Sequence, residues 1–349
     1  MNSKFPLVSV IIVNWNGGKV FDDCLKTLSK IDYPNWELIV VDNASTDKSE
    51  DLPAKYKQIK SIQYIKNEKN LGFAPANNQG LKLAKGEFVL LLNNDTKVTP
   101  EFLSELVGRL MQDPKIAVIQ PKIFLYDNPG YLDNAGSYLT KIGFLKHWGF
   151  MKKDGPEFNQ ETEIFSAKGA CMLIRKSAIL KAEGLFDEEF FSYFEESDFC
   201  WRIWLSGYKI IYYPQAVIYH KLGYTIRRLN VVKLNYHYYK NRICSLIKNL
   251  EFRNLLFIGT VHLFISLGII TAFLVTFKFH NASMVAKGII WNLLNLPKTL
   301  QKRRDIQKRR KVSDKEIFNR LGKSIEWFKY LEDFRRVSKD TERKVVSTV

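Results

Sequence analysis

Hydrophobic residues in the first half of this chain come in short, dense runs separated by stretches with helical spacing. Val8-Ser9-Val10-Ile11-Ile12-Val13 is almost continuously apolar and β-branched, as a strand buried on both faces should be. Asn14-Trp15-Asn16-Gly17-Gly18 breaks the run, and Phe21, Cys24, Leu25 and Leu28 then recur along one helix face. Trp36 to Val41 repeats the strand pattern and ends at Asp42-Asn43-Ala44-Ser45, and Ile62 to Ile65 makes a short third strand. A helix carrying Leu81, Leu83 and Ala84 closes at Gly86, and Glu87 to Leu92 forms a fourth strand, ending at Asn93-Asn94-Asp95. Strands alternating with helices predict an α/β fold, a mostly parallel sheet with helices on both faces. Ligands of such sheets bind outside the carboxyl ends of the strands. Asn14, Asp42 and Asp95 all fall there.

The pattern then loosens. Phe102 to Met111 reads as a helix and Ala117 to Phe124 as a strand. From Tyr126 to Glu163 the chain is rich in Gly, Asn and aromatics, which predicts a long loop-bearing insertion. Ala170 to Ile174 is a strand and Phe199 to Leu205 a helix stopped at Gly207. Lys209 to Tyr213 and Ala216 to Tyr219 are strands that end at His220.

Leu255 to Phe277 then runs for 23 residues without a formal charge. That is long enough to cross a bilayer, which takes ~20 residues. A single crossing would send the basic stretch Lys302 to Lys311 to the far side, against the positive-inside tendency. A hairpin anchor or a pair of interfacial helices keeps both basic flanks on one face. Ser313-Asp314-Lys315-Glu316 reads as a capping box, and Ile317, Leu321, Ile325, Phe328 and Leu331 continue it as one amphipathic helix. The expected division is a catalytic domain over 1–245, apolar membrane-associated helices over 246–300 and a basic helical tail over 301–349.

Charge sharpens that division. Residues 1–220 carry 26 Lys and Arg against 27 Asp and Glu, whereas residues 221–349 carry 27 against 9. The net charge of +17 therefore belongs to the C-terminal part. A basic segment beside an apolar one points to an anionic membrane surface and not to nucleic acid. Four scattered cysteines with no metal-like spacing fit buried thiols in a reducing compartment. The opening residues carry no recognisable signal peptide, because Lys4 and Pro6 precede only a short strand-like run.

Several ordered pieces carry a resemblance. They are Val10 to Asn16, Val41 to Asp47, Asn70-Leu71-Gly72-Phe73-Ala74, Leu92-Asn93-Asn94-Asp95-Thr96 and Gly169-Ala170. Phe186-Asp187, Tyr193-Phe194-Glu195-Glu196-Ser197-Asp198, Trp201-Arg202 and Tyr219-His220 complete them. Over about residues 7–245 the chain resembles the family 2 glycosyltransferases with a GT-A fold, particularly rhamnosyltransferase-like members. The resemblance implies an inverting transfer of a sugar, rhamnose among the candidates, from a nucleotide-diphospho-sugar to a glycan or lipid-linked acceptor. It implies work at the cytoplasmic face of the cell membrane, in surface polysaccharide or glycolipid synthesis. The Gln-x-x-Arg-Trp motif of the family's processive synthases does not occur, which favours single addition.

The resemblance also assigns residues. Asp42 is expected to accept a hydrogen bond from a pyrimidine base, the competing role being a turn aspartate that caps the next segment. Asn14, Asn70, Gly72, Asn77 and Asn94 are expected to border the donor, although Gly72 also suits a tight turn. Asp95 takes the last position of an Asp-x-Asp pattern and, with His220, is expected to ligate Mg²⁺ or Mn²⁺, which prefer hard oxygen ligands. Asn93 stands where many relatives have Asp, which removes one charge. Removal of the acceptor hydroxyl's proton needs a base; Glu196 matches the catalytic carboxylate by position, with Glu195 beside it. Asp198 and Arg202 suit a structural pair. Arg227 and Arg228 are expected to contact the donor diphosphate or an acceptor phosphate. Two other readings compete. A sugar-phosphate nucleotidyltransferase would carry a Gly-rich basic loop after the first strand, unlike Asn14-Trp15-Asn16-Gly17, and a degenerate glycan- or membrane-binding module would not need Asp42, Asp95 and Glu196 intact.

Overall fold

A computed structural model describes residues 5–223 and 231–324. The chain opens with β1 (Val8–Asn14), α1 (Gly18–Leu28), β2 (Trp36–Asp42), β3 (Ile62–Lys66), α2 (Phe73–Leu83) and β4 (Phe88–Leu92). β5 (Thr96–Val98), α3 (Phe102–Gln112), β6 (Ile116–Leu125), β7 (Asn128–Asn134), β8 (Ser137–Thr140), β9 (Leu145–His147) and β10 (Thr162–Glu163) come next. Then come β11 (Cys171–Arg175), α4 (Lys176–Lys181), α5 (Glu195–Leu205) and β12 (Lys209–His220). The C-terminal part comprises α6 (Val231–Asn249), α7 (Phe252–Val275), α8 (Phe279–Leu294), α9 (Leu296–Arg309), α10 (Asp314–Leu321) and β13 (Gly322–Lys323).

The main sheet has ten strands along the order β10-β12-β6-β11-β4-β1-β2-β3, with β5 added to β12 and β7 to β6. β4, β1, β2 and β3 are parallel, as the sequence predicts. Beyond β4 the sheet is mixed, because β11 runs antiparallel to both β4 and β6. The chain returns through the insertion at the end where β4 leaves the sheet, so β11 must run the opposite way. Alternation along the strands divides the core. Val8, Val10 and Ile12 join one cluster with Phe21, Leu25 and Phe102, while Ile11 joins the other with Ala74 and Trp201. Helices therefore cover both faces.

Three expectations change. The two strands before His220 are one strand, β12, with an irregular register between Tyr213 and Val217 around Pro214. The loop-bearing insertion also carries a small sheet of its own: β8 and β9 form a hairpin, and β13 pairs parallel with β8. The boundary at 245 falls inside α6, which packs against α5, α8 and α9. The terminal helix stops at Leu321, where Gly322 and Lys323 turn into β13, and Ile325, Phe328 and Leu331 lie outside the described residues. Ser313 does cap α10, its hydroxyl accepting from the Glu316 backbone N–H at 3.2 Å.

Candidate active site

The parallel register aligns Asn14 with Asp42 at the carboxyl ends of β1 and β2. Asn14 Nδ2 donates to Asp42 Oδ2 and to Ser49 Oγ, each at 2.8 Å. Asn94 Nδ2 donates to Asn14 Oδ1, also at 2.8 Å. Asp42 accepts from the Ser45 backbone N–H at 2.8 Å and from its hydroxyl at 2.6 Å. Asn14, Asp42, Ser49 and Asn94 are almost wholly buried. Asp42 therefore makes the contacts of a turn aspartate, and Asn14 and Asn94 tie three strand ends together. Gly17 is required by this packing: a Cβ there would sit 2.4 Å from Asn14 Oδ1.

The next segment is also pinned. Asn70 Oδ1 accepts from the Gly72 N–H at 2.9 Å, and Asn43 Nδ2 donates to the Gly72 carbonyl at 3.0 Å. Gly72 has φ +91°, and a Cβ would meet the Phe191 carbonyl oxygen at 2.3 Å, so both turn geometry and close approach demand glycine. Asn77 donates to the Phe73 carbonyl within its own helix at 2.9 Å.

Antiparallel pairing of β5 with β12 places His220 opposite Thr96, hence beside Asp95. His220 Nε2 lies 3.2 Å from Asp95 Oδ1, and Nδ1 lies 2.7 Å from Asp133 Oδ2. Lys168 Nζ reaches both Asp133 oxygens at 2.6 Å. Burial alone would depress His220, but the carboxylates of Asp95 and Asp133 outweigh it and hold the imidazole up to about 9. Burial likewise opposes ionisation of Asp133, and Lys168 and His220 overcome it, keeping that carboxyl well below the usual range. Without a cation, the two carboxylates thus favour the doubly protonated form of His220.

These residues fit a divalent cation. Asp95 Oδ1 is buried, and its partner in the fold is the imidazole nitrogen that Asp133 leaves free, 3.2 Å away, a contact a cation could replace. The chain supplies few ligands: no cluster of three or more His, Cys, Asp or Glu able to hold a metal occurs among the described residues. The remaining coordination positions suit substrate oxygens.

The second carboxylate site opens α5. Tyr193 and Phe194 precede it at φ 70° and 72°. Left-handed geometry in two consecutive aromatics costs about 1–3 kcal/mol each and needs support from outside. That support comes from α6, where Asn241 Nδ2 donates to the carbonyls of Ser192 at 3.0 Å and Tyr193 at 2.7 Å. Glu195 is buried with an unpartnered Oε2, and Glu196 is half-buried. Burial pushes both carboxyls above the usual range, and the charge of Glu196 adds to the effect on Glu195. Lys168 moderates Glu196. The ammonium that fixes Asp133 therefore also acts on the candidate base, linking the two sites through Asp95, His220, Asp133 and Lys168.

Asp198, one turn on, behaves oppositely. Arg202 Nε at 3.0 Å, Lys248 Nζ at 3.1 Å and Asn249 Nδ2 at 2.9 Å surround it. Lys248 and Arg202 overcome burial and hold it ionised. Lys248 also meets Asp187 at 2.6 Å, so a buried ion network fastens α5 to α6. Asp198 and Arg202 are the structural pair the sequence suggests.

Asp133, Lys168, Asn241 and Lys248 are absent from the sequence-based site. Asp133 lies in the insertion without periodicity, and α6 lies beyond any motif. Arg227 and Arg228 lie outside the described residues.

Comparison with known proteins agrees with this architecture. Residues 9–181 match the family described as "Glycosyl transferase family 2". A poly-beta-1,6-N-acetyl-D-glucosamine synthase of Staphylococcus epidermidis is 25% identical over 219 residues, covering 63% of this chain and 51% of the relative. The chain thus spans about half the length of that curated relative. Among solved structures, GalNAc-T7 with UDP, GalNAc and Mn²⁺ superposes with a TM-score of 0.56 at 18% identity, covering 70% of this chain and 48% of that one. The mannosyltransferase PcManGT of Pyrobaculum calidifontis, in complex with GDP-Man and Mn²⁺, gives 0.52 at 17% identity, covering 88% and 86%. The sheet shared with these structures and the match over the strand-end residues lead to one assignment: residues 9–181 form a family 2 glycosyltransferase segment, and the fold is GT-A.

Proposed function

We propose that this glycosyltransferase performs a metal-dependent, inverting transfer of a sugar, with rhamnose a candidate, from a nucleotide-diphospho-sugar to a glycan or lipid-linked acceptor at the cytoplasmic face of a membrane. The observation that carries the reading is the run of contacts from Asp95 through His220 and Asp133 to Lys168, beside the carboxylate pair Glu195-Glu196 that opens α5. Asp95 and His220 would hold Mg²⁺ or Mn²⁺, whose chemistry when bound is to neutralise the departing diphosphate. Asp133 fixes the His220 tautomer by accepting from Nδ1. Glu196 takes the acceptor hydroxyl's proton as its oxygen bonds to the anomeric carbon and the bond to the diphosphate breaks. A raised pKa suits that task, because a base poised nearer neutrality drives proton transfer better. One base opposite the leaving group gives inversion.

Asn14, Asp42, Asn70, Gly72, Asn77 and Asn94 shape the donor pocket in this reading by fixing the strand ends and the Gly72 turn, which leaves backbone groups to meet the nucleotide. The Mn²⁺ and nucleotides bound in the two solved neighbours support the choice of cofactor and donor class. The test is a panel of UDP-, dTDP- and GDP-sugars assayed for nucleotide release with and without Mg²⁺ or Mn²⁺. Glu196→Gln should lower release by ~10²–10⁴-fold while donor binding persists. Release that ignores both the metal and this substitution would overturn the proposal.

A further inference from the structure

α7 is 24 residues long; its most apolar 18 residues have a mean hydropathy of 2.2, and only 17% of that stretch is buried. Its buried positions are Ile258, His262 and Ser266, one every fourth residue, so a single stripe faces the protein. The opposite face exposes Leu256, Phe257 (64%), Leu263, Phe264 (70%) and Leu267. α8 continues the surface with Ile290, Leu293 and Leu294.

The packed stripe decides how this surface meets lipid. Asn254 Nδ2 donates to Asp314 at 2.9 Å near the start of α7. In its middle His262 Nε2 donates to the Ile142 carbonyl at 2.6 Å, and its ring stacks on Phe144 at 4.4 Å. α8 then returns onto α6, with Asn292 Nδ2 donating to the Lys240 carbonyl at 3.0 Å. Beyond His262 about 13 residues of α7 remain, roughly 20 Å at 1.5 Å per residue. A bilayer core is ~30 Å thick. Crossing would drag the β8–β9 hairpin, with its polar groups, into hydrocarbon.

We propose that α7 and α8 form a one-sided anchor, lying along an anionic membrane surface with the Phe257–Phe264 stripe in the acyl boundary and no segment emerging on the far side. The occupant is identified by charge. No acidic residue occurs between Phe252 and Arg304, whereas exposed Arg253 and Lys287 flank the apolar stripe. Lysine beside interfacial aliphatics extends its stem along the apolar zone and sets its ammonium among headgroup phosphates. The geometry puts the hairpin that touches α7 at headgroup level; the same hairpin holds Ser137, whose backbone pairs with Ser166, and Ser166 meets Ser197 of α5 at 3.1 Å. The start of α5, with Glu195 and Glu196, would thus be linked to the membrane-facing hairpin, as a lipid-linked acceptor requires. This inference rests on the membrane reading above, and the experiment separates the two.

The full chain is mixed with phosphatidylcholine vesicles with and without phosphatidylglycerol and floated. Flotation should require the anionic lipid and weaken in high salt. The native cysteines are all buried, so His280→Cys at the α7–α8 turn offers a lone reporter. In sealed membrane vesicles of either orientation, an impermeant maleimide should label it from the catalytic-domain side or from neither. Phe257→Glu with Phe264→Glu should cut flotation at least ~10-fold and leave nucleotide release in detergent unchanged. Labelling from the opposite face would overturn the one-sided anchor while leaving membrane association standing. Loss of flotation in the unmodified chain would overturn both, and undiminished flotation of the double variant would show that this stripe is not the contact.

Discussion

The strand-end region around Asn14 and Asp42 and the entrance to α5 around Glu195 are both buried and polar, yet they are built on opposite principles. At the strand ends the polar groups bond one another: Asn14, Asp42, Ser45, Ser49 and Asn94 form a closed network. Buried polar groups satisfied in this way are rigid. At α5, Glu195 Oε2 is unpartnered and two aromatics are held at positive φ. The turn is held by Asn241 and the helix behind it by Lys248 through Asp198, both on a helix outside the stretch matched to the family. One region is self-sufficient; the other is held in tension by the C-terminal layer. Asp95 and His220 lie between these extremes, paired with each other and open to exchange for a cation.

That contrast can be broken experimentally. The largest effect should come from pH in the metal-free protein. His220 is raised from an ordinary 6.5 to about 9, so its stabilisation is fully present below 6.5 and is lost as pH climbs through 9. The loss should be about 3 kcal/mol, visible as a falling melting temperature between pH 7 and 10. Added Mn²⁺ should offset the loss, because it competes with the departing proton.

Asp133→Asn removes the charge that orients His220 and offers Nδ1 an amide N–H instead, so it should weaken Mn²⁺ affinity or turnover by about 10–100-fold, measured by metal titration of nucleotide release. A smaller effect is expected at the tension point. Asn241→Ala should lower turnover about tenfold with little change in donor KM, because the base and not the donor pocket shifts. Its pH–rate profile should shift as the Glu196 environment opens, and an unchanged profile would mean that α6 does not position the base. The smallest effect belongs to the self-sufficient region. Ser49→Ala should cost about 1 kcal/mol by chemical denaturation, with activity retained, since the other bonds of Asn14 remain.

The half of the fold that was legible in the sequence is the half governed by period. The runs at Val8, Trp36 and Glu87 became β1, β2 and β4, with their polar termini at one edge. The reversal of β11 was not legible, because chain direction depends on where the insertion re-enters and not on apolar spacing. Asp133 was missed for the same reason: its partners, His220 and Lys168, are 87 and 35 residues distant. The basic C-terminal stretch was only half understood. Arg303 donates to the carbonyls of Ile247 and Leu250, and Arg310 to that of Asn249, so these cations cap the end of α6. Lys302 meets Asp187 at 2.5 Å. Charge that resembles a binding surface in composition is partly spent inside the fold.

The short pairing of β13 with β8 has a practical corollary. It lets residues 322–323 cover one side of the hairpin whose other strand is β9. A protein cut just before Gly322 would lose that cover, leaving β8 as a raw margin open to strand addition by neighbouring molecules. Shortened versions of this enzyme should therefore clump before they unfold, and preparations meant for crystals or assays should keep the chain at least through Lys323.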